Sequence, residues 1–400
     1  MMAMATAKKL STYFDRYPKK YLWLLAVAIG TLARVLIAKR GHNGDFQSWI
    51  WCITVMRDGG SVYSGSSNYG FGPAWMFVLK FADIVQGIFP DNRIVFRLVI
   101  ILILTAFDLA IAILIAKKFS LIAGLLFFIN PVSIIISGFH NQFDNIAIFV
   151  SMIGIFLLES IDLDEKKKSW WLGLALIGFS LAIKHILLFF PIWLFFRAGT
   201  FRQRASRLVF PYVVYLVCFI PWATSLDRVK IIIEENFLKK GGEPASILTF
   251  FGSDSESGGG GFTYRELILI LAYLIWLLGI LAFGWAMRNR SIVHSLLIYL
   301  VVMVGLAPKY SQQQLILPLL ALFVYATREL KIFYSITLIF MIQNRNELGI
   351  EFFFPHFFRV DGTIYVWLQV LLIIFSLRII FKDHPSNLKS ENLRAALKLN

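Results

Sequence analysis

Long apolar runs separated by short polar connections fill most of the chain, and they constrain its fold more than any motif does. They lie at 21–38, 94–116, 119–137, 145–159, 169–183, 185–196, 208–222, 266–287, 291–307, 312–327, 331–343 and 363–381. A membrane crossing takes about 20 predominantly apolar residues. Inside lipid every backbone N–H and C=O needs an internal partner, which a helix supplies residue by residue. The expected fold is therefore an all-α polytopic membrane protein with about twelve transmembrane helices. Composition agrees: 58% of the 400 residues are hydrophobic and 16% charged, against roughly 25% charged in a soluble domain. That excludes an ordinary cytosolic enzyme. Cys52 and Cys218 are too few for a disulfide framework or a four-cysteine metal site.

The net charge of +15 would raise nucleic acid as a partner in a soluble protein. No nucleic-acid-binding signature, P-loop, dinucleotide fingerprint or HExxH segment occurs, so the lipid bilayer is the expected partner and nucleic acid is not. The N-terminus is basic through Lys8, Lys9, Arg16, Lys19 and Lys20, and Lys39-Arg40 closes the first run without a small-residue cleavage site. That run reads as a retained helix rather than a cleaved signal peptide. The connections bearing Lys117-Lys118, Lys166 to Lys168, Arg197 to Arg207, Arg288 and Arg290, Arg328 and Lys331, and the tail from Arg378 then share one side. The positive-inside rule makes that side cytoplasmic, with both termini inside.

The expected organisation is a basic segment 1–20, a membrane domain 21–381 and a tail 382–400, with long outer loops at 41–92 and 223–264. Within the first loop, Ala74 to Phe89 is short and carries Lys80 and Asp83, so it reads as a helix at the membrane surface or only partly inserted. Were it to cross, every later connection would change sides. The run Gly258 to Gly261 in the second loop reads equally as a mobile lid or a floppy linker. No internal repeat is visible, which disfavours transporters built from inverted repeats.

Polar side chains kept among apolar helices are candidates for function. Asp45 follows the first run, and a carboxylate partly withdrawn from water makes a stronger general base. As an alternative, Asp45 could cap a helix beginning at Phe46. Tyr69 to Trp75 follows in the same loop. Ser137 to Asn145 holds five hydrogen-bonding side chains within six residues, more than a connection between two helices needs. There Asp144 could cap the next helix and His140 could bond backbone carbonyls. Lys184-His185 and Lys309-Tyr310-Ser311-Gln312-Gln313-Gln314 each put a lysine at an outer helix end. Those lysines could snorkel to headgroups or bind a phosphate held at the membrane, and Arg345 and Arg359 are further outer cations of the same kind.

In this order the features resemble the GT-C glycosyltransferases, multispanning enzymes that use sugars linked to polyprenyl phosphates. Gly44-Asp45-Phe46 resembles the Gly-Asp-Tyr that opens their long first outer loop, which also contains surface helices. Tyr69 to Pro73 resembles their Asp-Tyr-Pro-Pro-Leu, and His140 to Asn145 their His-Phe-Gln-Tyr-Asn. Lys309-Tyr310-Ser311 is similar to a Tyr-Ser segment of prokaryotic relatives. Gly72-Pro73 departs from the double proline, and no His-x-His-Glu-Lys segment follows at the later outer turn, where Lys309 is only a positional substitute.

The resemblance implies inverting transfer of one hexose, mannose or glucose, from a polyprenyl-phosphate donor to a glycan or glycolipid acceptor on the outer or lumenal face. It implies Asp45 as general base, Lys184, Lys309 and Arg359 at the donor phosphate, and His140, Gln142, Asp144, Tyr69, Tyr310 and Gln313 at the sugar or acceptor. A divalent cation, Mg or Mn, stays open, since only Asp45 together with Asp144 could hold one. The implied location is the cytoplasmic membrane of a prokaryote rather than the endoplasmic reticulum. A transporter or lipid flippase is the rival reading, with Arg34 and Asp108 as charges inside helices that pair or support the fold. A membrane-bound acyltransferase using His140 is the third.

Overall fold

The computed structural model describes residues 19–63, 69–89, 93–161, 164–234, 264–308, 312–343, 348, 350 and 363–381. Helices α1 (Lys19–Ala38), α2 (Gly44–Arg57), α3 (Ala74–Gly87) and α4 (Arg93–Lys118) come first. They are followed by α5 (Leu121–Ile129) and α6 (Pro131–Ile135), the latter running into a π-helical turn, Ile136–His140. Then come α7 (Asp144–Ser160), α8 (Lys168–Ile183), α9 (Phe190–Phe195), α10 (Phe201–Val217) and α11 (Leu226–Ile233). The last are α12 (Tyr264–Ala286), α13 (Ile292–Gly305), α14 (Leu317–Tyr325), α15 (Arg328–Gln343) and α16 (Thr363–Phe381). Among the described residues there is no strand.

Sequence chemistry sets the boundaries. Asn43 caps α2, Ser120 caps α5, and Thr200 with Gln203 makes a reciprocal capping box on α10. Asn130 caps α6 and Pro131 occupies its first turn, so the α5–α6 run, expected as a single helix over 119–137, breaks and bends by 43°.

Four described helical segments are long and apolar enough to cross a membrane: Lys19–Ala38, Ile94–Lys118, Phe201–Trp222 and Ile364–Phe381. The bent α5–α6 pair makes a fifth if it counts as one span. These helices mark a membrane protein. The expected run 185–196 is instead a 3-10 turn, His185–Leu187, followed by the six-residue α9 with Pro191 in its first turn.

α3 is present where a surface helix was expected. It buries Trp75, Met76, Leu79 and Ala82 and packs along α4, but it also exposes Phe77, Phe81 and Ile84. Its outer side is thus apolar apart from Lys80, unlike the strongly charged face of an interfacial helix.

The core forms where α7 packs on α8, α8 on α10, α4 on α5 and α7, and α13 on α14 and α16. α7 and α8 cross closely at two glycines: a Cβ on Gly154 would lie 2.6 Å from the Gly173 carbonyl oxygen. Close backbone approach through small residues is the usual way helices associate in lipid. A buried ion pair lies deeper. Arg34 donates to Asp108 at 2.9 Å, and Asp108 also receives hydrogen bonds from Ser133, Ser137 and Asn145.

Candidate functional site

Four segments far apart in sequence meet at one end of this core: the connection 41–45 after α1, the loop 69–73, the segment 138–144, and the end of α8 at Lys184. The expected outer connection Ser137 to Asn145 is not a surface loop. Its first residues complete the π-helical turn and the whole segment is buried, so only Asn141 to Phe143 separates that turn from α7. Asn141 reverses the chain with φ at 55°, a left-handed conformation that Asn tolerates better than most residues. Its side chain donates to the carbonyls of Ser137 and Gly138.

Asp45 lies in the first turn of α2 and is half-buried; Asn43, not Asp45, is the cap. The Asn43 amide settles its own orientation. Its Oδ1 accepts from the Asp45 backbone N–H at 3.2 Å, so Nδ2 faces the Asp45 carboxylate at 2.6 Å and His140 Nδ1 at 2.7 Å. With Nδ2 donating to both, His140 Nδ1 is an acceptor and the ring proton is assigned to Nε2. His140 is fully buried. Its Nδ1 engages this side-chain amide.

The second polar group is Gln142, Asp144 and Lys184. Asp144 opens α7 but does not cap it; Phe143 occupies the cap position and makes no side-chain cap bond. Lys184 instead donates to Asp144 Oδ2, and to Gln142 Oε1 at 2.9 Å. Its ammonium stands over the rings of Phe143 at 5.0 Å and Phe71 at 5.6 Å. The neighbouring His185 turns the other way, to the Tyr215 hydroxyl at 2.6 Å.

The loop 69–73 is pressed against the end of α8. A Cβ on Gly72 would come within 2.0 Å of the Ala182 carbonyl oxygen, so only glycine fits there. This is the position where the double proline was missing. The Tyr69 hydroxyl donates to the Gly72 carbonyl at 2.9 Å and the Tyr63 hydroxyl to that of Phe71 at 2.7 Å. Both tyrosines are buried, and burial holds both phenols well above their usual range. Tyr69, expected at the sugar or acceptor, braces the loop through its bond to the Gly72 carbonyl.

Arg97, in α4, escaped the sequence reading. Its guanidinium donates to the carbonyls of Ala38 at 2.7 Å and Gly41 at 2.5 Å, to Asn141 Oδ1 at 3.1 Å, and to the carbonyls of Gly138 and Phe139. It joins the chain that delivers Asp45 to the turn that delivers His140. The available signal was an arginine one turn inside the start of an apolar run. Arg34 and Asp108 do pair, as expected for two charges inside helices. Through Ser137 and Asn145 that pair anchors both ends of segment 138–144 from below.

Lys309, Tyr310, Arg345, Arg359, the side chain of Gln313 and the run Gly258 to Gly261 lie outside the described residues. Among the described residues no group of three or more His, Cys, Asp or Glu could hold a metal ion, and Asp144 is engaged by Lys184. Comparison with known proteins finds no matching family model, no matching curated protein and no matching solved structure.

Proposed function

We propose that the chain is a multispanning glycosyltransferase of the GT-C kind. It moves one hexose, mannose or glucose, from a polyprenyl-phosphate donor to a lipid-linked or cell-surface glycan on the outer face of the membrane. The supporting observation is that Asp45 and His140, 95 positions apart, share the side chain of Asn43. The two stretches that resemble the family's acidic loop start and its histidine-bearing connection thus converge on one place.

In this reading about twelve segments cross the membrane, both termini are cytoplasmic, and the membrane is the cytoplasmic membrane of a prokaryote. The short basic connections support that sidedness. Asp45 takes the proton of the acceptor hydroxyl. The acceptor oxygen forms its bond to the anomeric carbon on the face opposite the phosphate, the bond from that carbon to the phosphate oxygen breaks, and its electron pair leaves with polyprenyl phosphate. Configuration inverts. One carboxylate suffices, because phosphate leaves without the acid partner that a hydrolase uses.

Positive charge stabilises the departing phosphate. Lys309 and Arg359 are assigned to it, and Arg97 adds a cation whose partners are carbonyls and an amide. Lys184 enters with its charge already balanced by Asp144. His140, Gln142, Asp144, Tyr310 and Gln313 are assigned to the sugar or acceptor.

The test is detergent-solubilised protein given polyprenyl-phosphate mannose or glucose and a glycolipid acceptor. Release of polyprenyl phosphate together with a new glycoside of inverted configuration is expected. Turnover without a sealed membrane cannot be transport. Failure to consume either donor contradicts the proposal.

A further inference from the structure

The Lys184–Asp144 pair has unmet hydrogen-bonding capacity on both sides. Asp144 Oδ1 is buried and accepts no hydrogen bond, in a side chain only 1% exposed. An orphan acceptor at that depth is costly. Lys184 has three N–H groups; Gln142 Oε1 takes one and Asp144 Oδ2 another, which leaves the third. The lysine side chain is 13% exposed, so the pair is approached from the lysine end. Phe71 and Phe143 flank that ammonium with apolar rings.

Charge decides what such a place takes. A phosphate meeting Lys184 meets Asp144 at ion-pair distance as well, so attraction and repulsion oppose each other. A hydroxyl carries no charge and is both donor and acceptor. It accepts from the third N–H of Lys184 Nζ and donates to Asp144 Oδ1, while Gln142 keeps its own bond to the lysine. We infer that Lys184 and Asp144 form a subsite for the neutral hydroxyls of a hexose and not for the donor phosphate. The inference rests on the glycosyl-transfer reading and moves Lys184 to a different part of the substrate.

The experiment measures dissociation constants of the purified full chain for three probes. They are the polyprenyl-phosphate hexose it consumes, polyprenyl monophosphate without sugar, and an alkyl hexoside without phosphate. The proteins compared are wild type, Lys184→Gln, and Lys184→Met combined with Asp144→Leu, which removes both charges together and strands neither. Loss of hydrogen bonds to charged groups weakens the sugar-bearing probes about tenfold or more, while sugarless lipid phosphate stays within about twofold. A change in polyprenyl-phosphate hexose places the donor sugar in the subsite; a change confined to the alkyl hexoside places the acceptor there. Equal weakening of sugarless lipid phosphate overturns the inference, and so does unchanged binding of all three probes. A double variant that no longer folds also overturns it, by making the pair structural. Wild type that binds neither lipid defeats the glycosyl-transfer reading itself, a result distinct from all of these.

Discussion

Asn43 Nδ2 stands 2.7 Å from His140 Nδ1, and the same nitrogen reaches the Asp45 carboxylate at 2.6 Å. One neutral amide therefore ties the proposed base to the histidine beside it. Asn43→Ser keeps a good cap on α2 but removes both N–H donors. Its thermal midpoint is expected to stay within a few degrees of wild type, while turnover of the lipid-linked hexose falls roughly ten- to a hundredfold, the scale of a misplaced catalytic group. Parallel melting and turnover assays check this. Full turnover at unchanged stability would remove Asn43 as a positioning residue.

Asp108→Asn leaves Arg34 charged in a buried site that Asp108 alone neutralises among the described residues. The expected loss is about 3–5 kcal/mol of stability, as for other buried pairs broken on one side. Replacing Arg34 by Met in the same protein is expected to recover most of it. Thermal unfolding of the single and double variants measures the difference. A single variant as stable as wild type would show that the pair does not anchor segment 138–144.

Much of this fold was legible because lipid punishes ambiguity. The apolar runs and the positions of lysine and arginine are local signals, and α1, α4 and α16 formed where they pointed, whereas α10 begins at Phe201, inside the stretch Arg197 to Arg207 expected as a basic connection. The site was legible as a set of segments but not as a geometry. Asp144 carries the same local signal whether it caps a helix or pairs with Lys184, because the choice depends on a contact 40 residues away. Arg97 resembled an ordinary end-of-helix arginine until the chain around Gly41 and Asn141 folded onto it. The bend at Asn130-Pro131 was readable from proline chemistry alone, and treating 119–137 as one run missed it.

Gly72→Ala is expected to cost about 1–3 kcal/mol, the range for overpacking, because the new methyl would overlap the Ala182 carbonyl oxygen at 2.0 Å. Shifting the loop also moves Phe71 away from Lys184. Both the melting temperature and turnover should fall. A variant with wild-type stability would mean that the loop does not press on α8.

Cys52 is buried, and burial pushes its thiol from 9.0 up to about 12. The neutral thiol therefore persists in the folded protein at neutral pH, and maleimide is expected to label Cys52 only after unfolding. The linkage has a definite sign. Between pH 9 and about 12 the unfolded chain holds fewer protons at this position than the folded one, so this contribution is complete below pH 9 and declines as pH rises through that window. Rapid labelling of the folded protein at pH 7 would contradict the buried placement.

Turnover of polyprenyl-phosphate hexose by Asp45→Asn tests the central claim most directly. The substitution preserves the shape of the side chain and its place in the first turn of α2. Removing the base should lower turnover on the order of a hundredfold or more, with donor binding unchanged. Turnover within a few fold of wild type would contradict Asp45 as the base.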